Sequence, residues 1–178
     1  MLPNNATFNR EEILSIFLYN QSCFNFDDFS FCTGVSTDTR DIADGNIFVA
    51  LKGENTDGHT RINEAFAKGA SACIVSSDWF RDNESEITQK KPFIVVDDTL
   101  KALQNLAAFH RDRFDIPIVA VAGANGKTTT KEISSYILSH KYKILKTAEN
   151  YNNQIGVPLM LLQLNEGHQG EFVVMCLL

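Results

Sequence analysis

An apolar run that breaks into a glycine-bracketed turn constrains this chain more than any other feature, and it lies within residues 118–131. Ile118–Val121 has the length and composition of a buried strand, and the residues from Lys127 onward indicate the start of a helix. Two glycines, Gly123 and Gly126, let the turn bring its backbone N–H groups close to a ligand. The helix adds the positive end of its dipole, so the segment predicts a phosphate-binding loop.

The side chains of this loop suit a nucleoside triphosphate. Lys127 would lie on the terminal phosphates and Thr128 would bind Mg2+, so these two are the candidate catalytic residues and Thr128 is the candidate metal ligand. The loop is a short variant of the P-loop, because Val121 stands where the longer pattern has its first glycine. A glycine turn that only caps a helix is the alternative, and the loop alone does not separate ATP from GTP. The predicted phosphate-binding residues are Gly123, Ala124, Asn125, Gly126, Lys127, Thr128 and Thr129.

The composition excludes several classes of function. With 16 lysines and arginines against 22 aspartates and glutamates, the net charge is -6, which argues against a nucleic-acid-binding surface. Apolar stretches such as 116–122 are too short to span a bilayer, so no membrane insertion is expected. Because the N-terminus does not resemble a signal peptide, we expect a cytoplasmic protein. We also expect the chain to be a monomer if it folds.

The four cysteines and four histidines lack the paired spacing of a metal site. Each histidine, including His59 and His110, is expected at the surface or at a helix end.

Helical and strand-like patterns alternate along the chain, which predicts an α/β fold with a parallel sheet. Trp79–Lys91 is polar and is expected to be an exposed connection. We place a domain boundary after Asp97, giving domains at 1–97 and 98–178, and interpret Asp98 as a helix cap rather than a metal ligand. Helices are predicted from Asn9, over Ile62–Lys68, from Asp98 or Thr99, and from the loop to about His140, and strands at 47–51, 72–75, 93–97, 118–121, 144–147 and 172–175.

Three segments in order along the chain resemble the Mur ligase family of bacterial cell-wall synthesis. The first is Ser36-Thr-Asp-Thr-Arg40, followed by 48–53 and Asp57-Gly-His59. The second is the loop continued to Glu132, and the third is Glu149-Asn-Tyr-Asn-Asn-Gln-Ile-Gly-Val-Pro-Leu159.

The resemblance implies a small N-terminal α/β uridine-nucleotide domain followed by the start of a P-loop, ATP-binding domain that is incomplete here. It implies ATP-driven addition of D-Ala-D-Ala to UDP-N-acetylmuramoyl-tripeptide, with ATP and Mg2+ as cofactors. From the residues alone, an ion pair between Asp38 and Arg40 and a polar asparagine turn are the favoured interpretations. The resemblance instead implies substrate-binding roles for Ser36, Thr37, Arg40, Asn150, Asn152 and Asn153.

The chain departs from the family pattern at several positions. Ala124 stands where a hydroxyl residue is common, and Glu149 replaces a glycine. The final strand lacks the family's Glu-x-Gly segment, whose glutamate binds Mg2+, so we expect an N-terminal portion that does not complete ligation. The alternatives are a non-catalytic nucleotide or UDP-muramoyl-binding module and a relative that uses another carboxylate, such as a folylpolyglutamate synthase; the first and third segments disfavour the latter.

Overall fold

The computed structural model describes residues 4, 6–17, 22–27, 29–54, 56–84, 91–148, 151–165, 167 and 172–176. The chain divides into two compact units, Met1–Asn105 and Leu106–Leu178. Both units combine helices with parallel strand pairs, which confirms the predicted α/β class. None of the helices in the described ranges is long and apolar enough to cross a membrane.

The first unit contains a five-stranded sheet and a separate two-stranded sheet. Its elements are β1 Thr7–Asn9, α1 Arg10–Phe17, β2 Ser22–Phe24, β3 Phe31–Thr33, β4 Val35–Ser36, a 3-10 helix Thr39–Asp41, β5 Ile47–Val49, a 3-10 helix Gly58–Arg61, α2 Ile62–Ala67, β6 Ala72–Ser76, α3 Ser77–Asn83 and β7 Phe93–Val96. The large sheet has the order β2-β7-β6-β5-β4, and only its β2-β7 pair is antiparallel. β1 pairs with β3, also antiparallel.

The central strands of this sheet are buried on both faces. Every residue of β5 and β7 is buried, as are the first four residues of β6. Continuous apolar runs of this kind are typical of parallel strands with both faces covered, which is why the sequence predicted these strands. Phe48, Cys73 and Phe93 lie in the resulting core.

Side-chain caps fix the starts of two predicted helices. Asn9 Oδ1 accepts a hydrogen bond from the Glu12 N–H at 2.9 Å, and Glu12 Oε2 accepts one from the Asn9 N–H at 2.9 Å. This reciprocal pair is a capping box, and it confirms Asn9 as the cap of α1. Helix α4, Thr99–Arg111, begins where Asp98 Oδ1 accepts from the N–H groups of Leu100 and Lys101 at 2.8 and 3.0 Å. The predicted cap at Asp98 is therefore confirmed.

The prediction of an exposed connection over Trp79–Lys91 is wrong at its beginning, where the chain forms α3. Ser76 Oγ accepts from the Trp79 N–H at 3.4 Å and starts the helix. Phe80 is buried, with its ring 4.4 Å from that of Phe24 and 5.8 Å from that of Phe93. Most residues of this short helix are polar or charged, so its composition resembles that of a loop. Its two aromatic residues, Trp79 and Phe80, pack on the core. Residues 85–90 lie outside the described part of the chain.

The second unit has a three-stranded sheet whose pairs are all parallel. Its elements after α4 are β8 Ile118–Val121, α5 Lys127–Ser139, β9 Ile144–Lys146, α6 Gly156–Leu161 and β10 Phe172–Cys176. The strand order is β8-β10-β9, with Cys176 opposite Val121 and Val174 opposite Lys146. Parallel strands end at the same edge of a sheet, so the segments that follow β8 and β9 emerge from one edge. A small core of Phe114, Ile116, Met160 and Leu164 lies in this unit.

Candidate phosphate-binding site

The loop between β8 and α5 is open and left-handed at its glycines. Residues 122–126 are all exposed, and Gly123 and Gly126 have φ angles of 145° and 77°. A Cβ atom added at either glycine would meet nothing within 4 Å. Glycine is therefore favoured at both positions by the backbone conformation and not by steric crowding around the residue. The side of each glycine on which a Cβ atom would lie is therefore open, so a ligand has room to approach there.

The first turn of α5 presents donors to this space. Gly126 is the N-cap residue and supplies no side-chain cap. The first N–H groups of a helix have no acceptor within the helix, so they are available to an anion. Lys127, Thr128 and Thr129 form this first turn, and both threonines are exposed. The predicted loop residues are thus brought together around one helix end.

Lys127 bends back over the loop. Its Nζ donates a hydrogen bond to the Gly123 carbonyl at 2.6 Å. The ammonium group can exchange this hydrogen bond for one to a phosphate while the side chain stays over the loop. The side chain therefore lies over the loop.

The residues at the loop fit Mg2+ only together with a phosphate ligand. Thr128 offers one hydroxyl oxygen, and no cluster of three histidine, cysteine, aspartate or glutamate residues occurs among the described residues. Mg2+ prefers six oxygen ligands and often takes several from substrate phosphates and water. The Thr128 hydroxyl is therefore suited to complete such a set rather than to form a site by itself.

The asparagine segment, Glu149–Asn153, comes after β9 in the chain, and β9 ends at the same edge of the sheet as β8. Asn153 Oδ1 accepts from the N–H groups of Ile155 and Gly156 at 3.1 and 2.7 Å, so this oxygen holds the start of α6. Asn152 is half-buried. Glu149 and Asn150 lie outside the described residues.

Lys131 is a residue of this region to which the sequence patterns gave no role. Its side chain is buried, and its Nζ donates to the Thr147 carbonyl at 2.7 Å. Thr147 directly follows β9, so the bond runs from the helix after the phosphate loop to the segment that leads to the asparagines. The available signal was that Lys131 belongs to the second segment that resembles the family, which runs from the loop to Glu132.

The Ser36–Arg40 segment of the first unit makes hydrogen bonds and an ion pair within itself. Ser36 is buried, and its hydroxyl donates to the Asp38 carbonyl at 2.9 Å. Asp38 pairs with Arg40, whose Nη2 lies 2.5 Å from Asp38 Oδ2. Hydrogen bonds from Arg40 lower the pKa of Asp38 to about 2. The ion pair that the residues alone favoured is present, while the Arg40 side chain stays 84% exposed.

His59 is buried rather than at the surface, and it lies in the short 3-10 helix Gly58–Arg61, so only the helix-end alternative of the prediction holds. Its Nδ1 lies 2.6 Å from Asp57 Oδ1, and its Nε2 accepts from the Ser76 N–H at 3.0 Å. Because Nε2 accepts, Nδ1 carries the proton and donates to Asp57. Burial raises the pKa of Asp57, but hydrogen bonds from His59 outweigh it and the net pKa is lowered. The dyad fixes the 3-10 helix against β6.

Comparison with known proteins gives two matches in order along the chain. The Mur ligase family catalytic domain matches residues 32–111, and the Mur ligase middle domain matches residues 121–176. The chain belongs to the Mur ligase family. The Ser36–Arg40 segment lies in the first match, and the phosphate loop and asparagine segment lie in the second.

Each of the following relatives of this chain is a ligase by name. The UDP-N-acetylmuramoyl-tripeptide--D-alanyl-D-alanine ligase of Synechocystis is 43% identical over 143 residues, which are 80% of this chain and 30% of the relative. The structure of UDP-N-acetylmuramoylalanyl-D-glutamyl-2,6-diaminopimelate--D-alanyl-D-alanyl ligase from Acinetobacter baumannii matches with a TM-score of 0.80 and 31% identity, covering 99% of this chain and 37% of that one. MurF ligase from Thermotoga maritima in complex with ADP matches with a TM-score of 0.68 and 32% identity, covering 80% and 31%. The chain thus spans about a third of the length of these relatives.

Proposed function

We propose that this chain contributes the UDP-substrate and ATP-phosphate sites of a ligase that adds D-Ala-D-Ala to UDP-N-acetylmuramoyl-tripeptide. The observation that supports this most is the open glycine loop at the N-terminus of α5 in a chain that matches two Mur ligase domains in order. Residues 1–97 would form the UDP-substrate domain, and residues 98–178 would begin the ATP-binding domain. The proposal includes a cytoplasmic location and a monomeric state.

Charge neutralisation is the main task of the residues in this proposal. The peptide carboxylate of the muramoyl substrate takes the γ-phosphoryl group, and the dipeptide amine then displaces phosphate. Lys127 and the first N–H groups of α5 would bind the phosphates. Bound Mg2+ would neutralise further phosphate charge, with Thr128 as its ligand from this chain.

The remaining predicted residues would bind the muramoyl substrate. Ser36, Thr37 and Arg40 would contact its uridine diphosphate portion, for which Arg40 must share or release its bond to Asp38. Asn150, Asn152 and Asn153 would hold the peptide end near the γ-phosphate. The Asn153 amide nitrogen would serve here, because its oxygen already holds α6.

Titration calorimetry on the purified chain tests the proposal directly. We expect Mg-ATP and UDP-N-acetylmuramoyl-tripeptide each to bind with a stoichiometry of one, and GTP to bind more weakly than ATP. A chain that binds neither ligand would refute the proposal. Phosphate release that requires both the muramoyl tripeptide and D-Ala-D-Ala would assign catalysis to the chain itself. Binding without release would favour the second candidate, a non-catalytic nucleotide and UDP-muramoyl-binding module.

A further inference from the structure

Lys131 is a buried cation in the helix that follows the phosphate loop. It lies one turn after Lys127 on α5, and its side chain is only 3% exposed. Removing an ammonium group from water is unfavourable by several kcal/mol unless partners compensate it. A lysine in this position therefore has to be held by defined acceptors.

Two acceptors hold the Lys131 ammonium. Its Nζ donates to the Thr147 carbonyl at 2.7 Å and lies 3.2 Å from Glu132 Oε1. The other Glu132 oxygen, Oε2, lies 2.5 Å from Lys146 Nζ. Hydrogen bonds from Lys146 and then Lys131 lower the pKa of Glu132, so its carboxylate stays ionised. The result is a chain of charged contacts from α5 to the end of β9.

These contacts join two segments that strand pairing does not join. β8 leads into the phosphate loop and β9 leads into the asparagine segment, but β10 lies between the two strands. Lys131 is in the second turn of α5, four residues beyond Lys127, and Thr147 lies five residues before Asn152. One buried side chain thereby fixes the distance between the helix that carries the phosphate donors and the strand end that precedes the asparagines.

We propose that Lys131 is a positioning residue that couples the phosphate loop to the asparagine segment, so that nucleotide binding strengthens binding of the muramoyl substrate. The inference rests on the proposed function. A phosphate that draws in the first turn of α5 would move the Lys131 end of the link. At the other end, Thr147 precedes Ala148, whose carbonyl accepts a hydrogen bond from the Tyr151 N–H at 3.0 Å, so the change reaches Asn152 and Asn153. Coupling of this kind is reciprocal, so each ligand tightens the binding of the other by the same factor.

Calorimetric titrations of the full chain measure this coupling. The dissociation constant for UDP-N-acetylmuramoyl-tripeptide is determined with and without saturating Mg-AMP-PNP, a nucleotide analogue that cannot be hydrolysed. We expect the analogue to tighten substrate binding about five-fold or more in the wild type and to have no effect in Lys131→Met. Lys131→Arg, which keeps the charge and the donors, should restore part of the effect. Lys141→Met removes the same charge from an exposed site and should couple like the wild type.

The outcomes separate the inference from the proposed function. If the wild type binds both ligands and Lys131→Met keeps the coupling, the positioning role is refuted while the proposed function stands. A residue with a merely structural role would lower stability in Lys131→Met and leave the coupling unchanged. If the wild type binds neither ligand, both the proposed function and the positioning role of Lys131 are refuted.

Hydrogen exchange on the wild type covers the case in which Lys131→Met does not fold. Mg-AMP-PNP alone should slow amide exchange both in 123–129 and in 147–155. Protection confined to 123–129 would overturn the inference.

Discussion

Replacement of Lys127 by alanine tests the phosphate site most directly. A hydrogen bond from a charged donor contributes about 1.5–3 kcal/mol, but the ligand has to compete with the bond that Lys127 already makes to the Gly123 carbonyl. Taking about 0.5–1 kcal/mol for that exposed bond leaves a net loss of about 1–2 kcal/mol in Lys127→Ala. The dissociation constants for ATP and ADP should therefore rise about five- to thirty-fold.

The assay is titration calorimetry with Mg-ATP, Mg-ADP and AMP on the wild type and on two variants. AMP lacks the terminal phosphates, so its weaker binding should be the same in Lys127→Ala and in the wild type. Lys141→Ala is the matched control, because it removes one positive charge from an exposed site beyond the end of α5. At a rise of 1.5 Å per residue it lies about 20 Å from Lys127, which exceeds the screening length of about 10 Å in 0.1 M salt.

Three results would refute the reasoning. One is ATP binding by Lys127→Ala within two-fold of the wild type, using about 0.4 kcal/mol as the limit of significance. Another is an equal loss in Lys141→Ala, which would indicate a general charge effect. The third is a parallel loss of AMP affinity, which would place Lys127 away from the terminal phosphates.

Three further predictions concern the fold and the second ligand site. The pKa of Asp38 is lowered from 3.8 to about 2, so its carboxylate stabilises the fold above its ordinary pKa and this contribution is lost as the pH falls toward 2. Urea midpoints should therefore fall more steeply over that range in the wild type than in Asp38→Asn, and equal slopes would contradict the ion pair. Asn153→Ala should lower the free energy of unfolding by about 1 kcal/mol through α6, whereas Asn152→Ala should leave it unchanged within about 0.5 kcal/mol and weaken muramoyl-substrate binding. Phe80→Ala should lower the free energy of unfolding by about 3 kcal/mol, because the Phe80 ring packs on rings of the sheet. A loss under about 1 kcal/mol would show that α3 does not pack on the sheet.

Much of the fold could be predicted because its signals are local. The caps at Asn9 and Asp98 act on N–H groups two or three residues away. The apolar runs of β5, β6 and β7 are continuous because each strand is covered on both faces. The glycine loop combines a strand, a turn and a helix within a short stretch. Each of these features is therefore visible in a window of a few residues.

Helix α3 shows where local patterns fail. It is seven residues long, and its outer face is charged, so its composition resembles that of a loop. What stabilises it is the contact of Phe80 with rings on β2 and β7, and these contacts are set by the order of strands in the sheet. No short stretch of sequence contains that order.

The sequence by itself determined the chemistry available at the phosphate loop, because glycine freedom, a helix start, Lys127 and Thr128 are properties of neighbouring residues. The tertiary structure decided what the buried polar residues do. Lys131 reaches an acceptor 16 positions away and His59 accepts from an N–H 17 positions away. The physical reason is that a buried charge or ring requires a partner, and only the packing of distant segments determines which group that partner is.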